Sequence, residues 1–452
     1  MAHEFQSLTF QTPRPDRKGL STGREWGSVS VTMKIHILLP AVLLPVLGGL
    51  TGRAASLAAD AINALGVDLL PQTAPAGGNA LLSPYSIQTA LAMTCAGADG
   101  QTREEMVRVL HFPNAEAAVD RSFAELQADL AGIMQRQAAR AESMHQYGIT
   151  NEPLTLTTAN RLFGQAGYDF RPAFLSLLKD QYLAPFEALD FRRDAAGATT
   201  QINTWVEDQT HNRIRDLIPP KALNNATRLV LVNAIYLKAP WETKFPAGAT
   251  QPQPFHLAGG PDADAATMSL SHSLGYARRE GYSVVAVPYL GGELQLVILL
   301  PDANEGLAAV AAALKPSMLA ECAQLPEQRV NLHLPKFKLE PPLMPLGKAM
   351  QSLGMKTAFD VPKGSANFDR MAPRRPDDYL YISEIYHKTF LKLDEAGTEA
   401  AAATGVAMAA SNAIMRPPAP PVEFRVDHPF LFAIQHRATG ACLFLGRVTD
   451  PR

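Results

Sequence analysis

What most constrains this chain is the way helical and extended patterns divide it. Strand-like runs crowd its middle: "LTLTTANRLF" (154–163), "TRLVLVNAIYL" (227–237), "YSVVAVPYL" (282–290) and "LQLVILLP" (294–301). "RVNLHLPKFKLE" (329–340) adds period-2 alternation. Helical patterns come before them. "LAADAINALGVDLL", after Ser56, spaces apolar residues by three and four. Ser83-Pro84 opens an apolar helix that reaches about Cys95. A Gly-rich turn comes next, then a second helix predicted from Thr102, with Glu104 and Glu105 in its first turn, where acids suit the helix dipole. A polar helical region covers roughly 114–147. The closing piece, "VEFRVDHPFLFAIQHRATGACLFLGRVTDP", reads as two strands joined by a turn at Ala438–Gly440. No repeat and no linker interrupts this order. The reading is therefore one α+β domain, and with 47% apolar residues among 452 it has ample material for a core.

Several function classes drop out. The formal charge is -2, so no global field draws the chain to nucleic acid or to an anionic membrane. Cys95, Cys322 and Cys442 have no metal-ligand spacing and cannot all pair with one another, so they are expected to be buried thiols. There is no H-E-x-x-H, phosphate-binding Gly loop or EF-hand pattern, and the eleven histidines are scattered. "GLSTG" (Gly19–Gly23) matches a nucleophile elbow, but no strand precedes it and no helix comes after it. Asn225-Ala226-Thr227 forms a glycosylation sequon that chance explains. Neither an enzyme nor a cofactor nor a metal is expected.

One segment stands outside the fold. From Met33 the chain reads "MKIHILLPAVLLPVLGGLTGRAAS": a Lys, an apolar stretch from Ile35 to Leu50, then Ala54 and Ala55. This is the pattern of a secretory signal, with an apolar part too short and too Pro/Gly-broken to span a membrane. Residues 1–32 are polar and patternless. We expect translation to begin at Met33, 33–55 to be a signal removed near Ala55, and 56–452 to be the folded domain. That implies secretion, extracellular or periplasmic, with no lasting membrane association.

The oddest stretch is "LDEAGTEAAAATGVAMAASNAIMRPPAPPVEF", from Leu393 to Phe424. It is too small in side chain for a core and too poor in charge for an ordinary surface loop. Ala is the best helix former, yet the run has no amphipathic stripe.

The chain from about Leu57 to Pro451 resembles the serpins. "NALLSPYSIQTALAMTCAGADGQTREEM" is similar to the serpin segment beneath the main sheet, and "TRLVLVNAIYLKAPWETKF" to its third central strand. "YISEIYHKTFLKLDEAGTEAAAAT" is similar to the strand and hinge that feed a reactive loop, and "VEFRVDHPFLFAIQHRATGACLFLGRVTDP" to the closing strands. The resemblance implies a large, mostly antiparallel central sheet, two smaller sheets, eight or nine helices and an exposed reactive loop, here about 395–421. It implies a monomer that inhibits a target serine protease. The protease cleaves the loop and is held as a covalent acyl complex while the loop enters the sheet as a new strand.

Residue by residue, the resemblance places a hinge at Glu395, Gly397, Thr398, Glu399, Ala400, Ala401, Ala402, Ala403 and Thr404. It places a polar shutter at Ser83, Ser86, Asn233 and His387, and the aromatic at the top of the sheet at Trp241. Small residues of low β propensity do not commit to a strand early and do not overpack a ready-made slot. Alternation then puts Thr398, Ala400, Ala402 and Thr404 on the buried side and Glu399 in water. Counting from Gly397 places the bait bond at Ser411–Asn412; Ala410 and Met415 are alternatives, since counting back from Phe424 lands nearer Met415 or Arg416. "MAAS" suits an elastase-like or subtilisin-like protease, with cysteine proteases also possible targets. The other reading is a non-inhibitory serpin acting as a carrier or chaperone-like binding protein.

Overall fold

The computed structural model describes residues 48–73, 77–146, 154–399 and 420–452, with positions 48–56, 158–160 and 233 described by their backbone alone. In chain order the elements begin α1 (Gly48–Thr73), β1 (Ala80–Leu82), α2 (Pro84–Ala96), α3 (Gly100–Val109) and α4 (Glu116–His145). Then come β2 (Thr155–Gln165), α5 (Pro172–Tyr182), β3 (Phe186–Leu189), α6 (Phe191–Gln209) and β4 (Leu229–Pro240). The middle holds β5 (Gln251–Phe255), β6 (Ala263–Arg279), β7 (Tyr282–Pro288), β8 (Leu294–Pro301), α7 (Leu307–Ala313), α8 (Pro316–Glu321) and β9 (Glu327–Pro335). Short pieces come next: β10 (Phe337–Leu339), β11 (Met344–Pro345), α9 (Gly347–Ser352), β12 (Tyr386–His387), β13 (Leu391–Asp394) and β14 (Gly397–Thr398). The chain closes with β15 (Val422–Arg425), β16 (Phe430–His436) and β17 (Cys442–Val448).

Three sheets result among the described residues. One runs β1-β17-β16-β8-β7-β6-β9-β15, with β5 added to β6; a second runs β10-β13-β14-β4-β2-β3; β11 and β12 form a third. Pairing is antiparallel except for β2 with β3 and β15 with β9. The α+β class and the serpin-type arrangement of sheets and helices are thus present, with nine α-helices among the described residues.

Local chemistry explains the elements that matter most for function. Ser83 caps α2 by accepting a hydrogen bond from the Ser86 amide, and Pro84 takes the first helical position, where its missing N–H costs nothing. Every residue of α2 except Ala90 is buried, as befits an interior helix. The continuous apolar run of β8 is buried along its whole length, which is why it shows no alternation. β4 does alternate. Val230, Val232 and Ala234 belong to a core cluster shared with Phe191, Ile202 and Val206 of α6, whereas Ile235, Leu237 and Ala239 join the main cluster that includes α2. The second sheet therefore lies between two apolar layers.

Three findings differ from the sequence reading. The longest strand among the described residues, β6, spans 17 residues but escapes the strand patterns because Ala and Ser make up seven of them and only one, Thr267, is β-branched. The C-terminal piece forms three strands rather than two: Asp427–Pro429 interrupts it, and a proline cannot donate to a ladder. Helix α3 starts at Gly100, two residues before Thr102. The three cysteines are free and buried, and burial pushes the thiols of Cys95 and Cys322 up to about 12.

Candidate functional site: a seated hinge above an open slot

The site is built where β13 turns back on itself. After Asp394 the chain makes a tight turn at Glu395–Ala396 and re-enters the sheet as β14. Gly397 is required at this point. Its φ is +146°, and a Cβ there would lie 2.1 Å from the Ala239 carbonyl oxygen. The two residues of β14 are hydrogen-bonded on both flanks, with Thr398 opposite Leu393 on β13 and opposite Ala239 on β4.

Aromatic residues hold this wedge. Thr398 is fully buried and its hydroxyl lies 2.6 Å from the hydroxyl of Tyr289. Burial pushes the Tyr289 phenol above its ordinary range, so it stays protonated. Tyr289 stacks on Trp241 with ring centroids 4.6 Å apart and planes 4° off parallel. Trp241 in turn binds the hinge main chain: its indole N–H donates to the Asp394 carbonyl at 2.9 Å and its amide to the Ala396 carbonyl at 3.0 Å. The Phe245 amide donates to the Glu395 carbonyl at 3.1 Å. The Glu395 carboxylate accepts from Thr250 at 2.8 Å and pairs with Lys336 at 2.9 Å. Burial pushes this carboxyl up, but the hydrogen bonds from Lys336 and Thr250 outweigh it and leave it below its ordinary value.

Glu399 departs from the expected alternation. Its side chain is only 8% exposed and its carboxylate is in contact with the Arg213 guanidinium. The reason is backbone conformation: Glu399 has φ +51°, the left-handed region, so the strand rule that would send it to water no longer applies. Burial pushes the Glu399 carboxyl above its ordinary value, against the opposing pull of Arg213, Lys238 and Lys392.

Below Thr398 the sheet is parted. Among the described residues, no backbone hydrogen bond joins Leu229–Lys238 of β4 to the 379–391 stretch. A cavity of about 180 Å³ fills part of the gap, lined by Ser86, Leu91, Thr94, Val230, Leu380 and His387 among others. About half of the N–H and C=O groups of an outer strand point away from its one paired neighbour, so this edge of β4 is a template for one more strand.

The shutter residues sit at this gap. The Ser83 hydroxyl donates to the Leu443 carbonyl at 2.6 Å, and the Ser83 amide donates to Nε2 of His387 at 3.0 Å. Ser86 joins through its amide, 3.2 Å from the Ser83 hydroxyl. Burial lowers the pKa of His387 to about 4. The ring is therefore neutral, as it must be to accept from an amide. Asn233 lies on β4, opposite Asn160 of β2, and its side chain is outside the described residues. So are Ala400, Ala401, Ala402, Ala403 and Thr404 of the hinge, the Ser411–Asn412 bond, and the alternatives Ala410 and Met415.

Sequence reasoning missed Tyr289, Arg213, Lys336 and Thr250. Tyr289 is next to last in one recognised strand run and Lys336 lies inside another, and those positions were their only signal; Arg213 and Thr250 carry none.

A family model described as serpin (serine protease inhibitor) matches residues 60–451. The chain belongs to the serpin family. An uncharacterised serpin-like protein of Thermococcus kodakarensis is 34% identical over 398 residues, 87% of this chain and 85% of that protein. The leukocyte elastase inhibitor of Xenopus tropicalis is 37% identical over 384 residues, covering 83% of this chain and 94% of the relative. Among solved structures, the cleaved serpin 42Da matches with a TM-score of 0.70 at 30% identity, covering 89% of this chain and 99% of that one. The native thermophilic serpin tengpin matches with a TM-score of 0.72 at 26% identity, covering 88% and 94%. The family's description is that of serine protease inhibitors.

Proposed function

We propose that this serpin is a suicide-substrate inhibitor of serine proteases that traps its target by completing the strand β14 has begun. The observation that carries this reading is a two-residue strand already paired on both sides, directly above an unpaired edge.

The seated pair sets the register for the rest of the loop. Thr398 faces Ala239 on β4 and Leu393 on β13 in antiparallel ladders. Each further loop residue therefore meets a residue one position lower on each wall. Ala400 comes opposite Leu237, Ala402 opposite Ile235, and Thr404 opposite both Asn233 and His387. Met408 reaches Leu229, the end of β4. The edge thus accepts residues 399–408, a length that ends just short of the Ser411–Asn412 bond. Thr398, Ala400, Ala402 and Thr404 share the inward face and carry no charge, so nothing in that set opposes entry. Ten residues gaining about 1 kcal/mol of net hydrogen bonding each contribute on the order of 10 kcal/mol. That is comparable with the whole stability of an ordinary domain, about 5–15 kcal/mol.

The bait sequence before Asn412 is small and apolar, and several relatives are named leukocyte elastase inhibitors. Both support an elastase-like or subtilisin-like target. The leader-like segment 33–55 supports secretion, and the working form is a monomer. The test is to incubate the protein with a panel of proteases and look for a denaturant-resistant complex. Mass spectrometry of the released fragment identifies the bond, expected to begin at Asn412. Clean turnover of the loop by every protease, without a complex, would favour a carrier or chaperone-like role instead.

A further inference from the structure

We infer that Arg213 is a positioning residue for the reactive loop: by pairing with Glu399 it keeps Gly397 and Thr398 seated in the sheet before any protease arrives. This rests on the inhibitory reading and adds to it how the starting state is held.

Glu399 is the last described residue before position 400, and its carboxylate is buried against the body of the protein. Apart from the Arg213 contact, neither of its oxygens has a hydrogen-bond partner among the described residues. A carboxylate so placed needs an opposite charge; without one, its burial is strongly unfavourable. Arg213 comes from the connection between α6 and β4, far from the loop in sequence. Its guanidinium lies over the ring of Phe390, 5.4 Å from the centroid, and Lys338 covers the same ring at 5.4 Å. Lys238 on β4 and Lys392 on β13 also act on the carboxylate, but Lys392 is itself paired with Asp394 at 3.1 Å. Both walls of the slot thus contribute cations, and the connection after α6 supplies the one in contact.

The pair acts on the starting state, with the left-handed backbone at Glu399. An inserted strand requires that residue extended, opposite Lys238 and on the face away from Thr398. Arg213 therefore holds the seated hinge in the conformation that precedes insertion. If Arg213 is lost, the unpaired carboxylate has to leave for solvent, and Thr398 is drawn out with it, away from Tyr289.

The test is hydrogen exchange of the peptide spanning 391–399 in the full chain, since the Glu399 amide donates to the Lys392 carbonyl at 2.9 Å only while the hinge is seated. Arg213→Ala is expected to speed exchange in this peptide at least tenfold, with the rest of the protein unchanged. Arg213→Lys should restore part of the protection. The double variant Arg213→Ala/Glu399→Ala should restore most of it, because no carboxylate then needs a partner. Unchanged exchange in Arg213→Ala, equally fast exchange in the double variant, or faster exchange throughout the protein would each overturn the inference. No protease takes part, so failure of this latch would leave the inhibitory reading intact, and failure to inhibit would leave the latch standing.

Discussion

The two roots of the reactive loop differ in how firmly they are tied. The N-terminal root, β14, is two residues long and lies between β13 and β4, with the unpaired edge of β4 continuing below it. The C-terminal root, β15, is four residues long and forms the edge of the other large sheet. There the Val426 amide adds a bond to the His333 carbonyl at 2.9 Å, Phe424 is buried against Tyr276, and the chain passes straight into the fully buried β16. One root can lengthen by taking in more loop. The other has nowhere to go. The asymmetry teaches that strand addition should proceed from Thr398 downward while Val422 stays in place.

Substitutions test this difference, and the largest effect is expected at the moving root. Thr398→Arg puts a charge at a fully buried position, at a cost of several kcal/mol. The variant should be cut as a substrate without forming a denaturant-resistant complex; if it still traps protease, insertion does not start at β14. His387 comes next, through pH. Its folded pKa, about 4, lies below the ordinary 6.5. The unfolded chain therefore binds the extra proton between these values, and stability falls as pH drops from 6.5 towards 4. The full loss is about 3 kcal/mol. His387→Gln should flatten that slope in denaturant titrations, and an unchanged slope would deny the ring its buried, neutral state.

Smaller effects are expected elsewhere. Gly397→Ala places a Cβ against the Ala239 carbonyl and should cost about 1–3 kcal/mol of intact-state stability, read as a lower Tm. Tyr289→Phe removes only the partner of the Thr398 hydroxyl, a loss of about 1 kcal/mol. The smallest effect belongs to the fixed root. Glu423 pairs with Arg425 and His333 at the surface, with its own side chain 53% exposed. Glu423→Gln should leave both stability and trapping essentially unchanged. Trapping lost in this variant would erase the distinction between the roots.

Much of this was legible in the sequence, for identifiable reasons. The small residues after Gly397 suggested a segment for a narrow slot, a reading that lies outside the described residues. Ser83-Pro84 announced a helix start, and the apolar runs announced β4, β7 and β8. Strand β6 was hidden because its alternation is carried by Ala and Ser. The burial of Glu399 was hidden because alternation presumes an extended backbone, which is lost one residue after Thr398. Arg213 and Tyr289 were hidden because each meets the hinge across more than a hundred residues of sequence, where no spacing rule reaches. Ser83 and His387 are 304 residues apart, and only the resemblance to serpins brought them together.

The most direct measurement is the melting temperature of the protein before and after a single cut in the loop. If the cleaved loop fills the edge of β4, the clipped protein should melt far above the intact one, with residues 399–408 protected from exchange. Equal melting temperatures, with those residues still exchanging freely, would contradict the account.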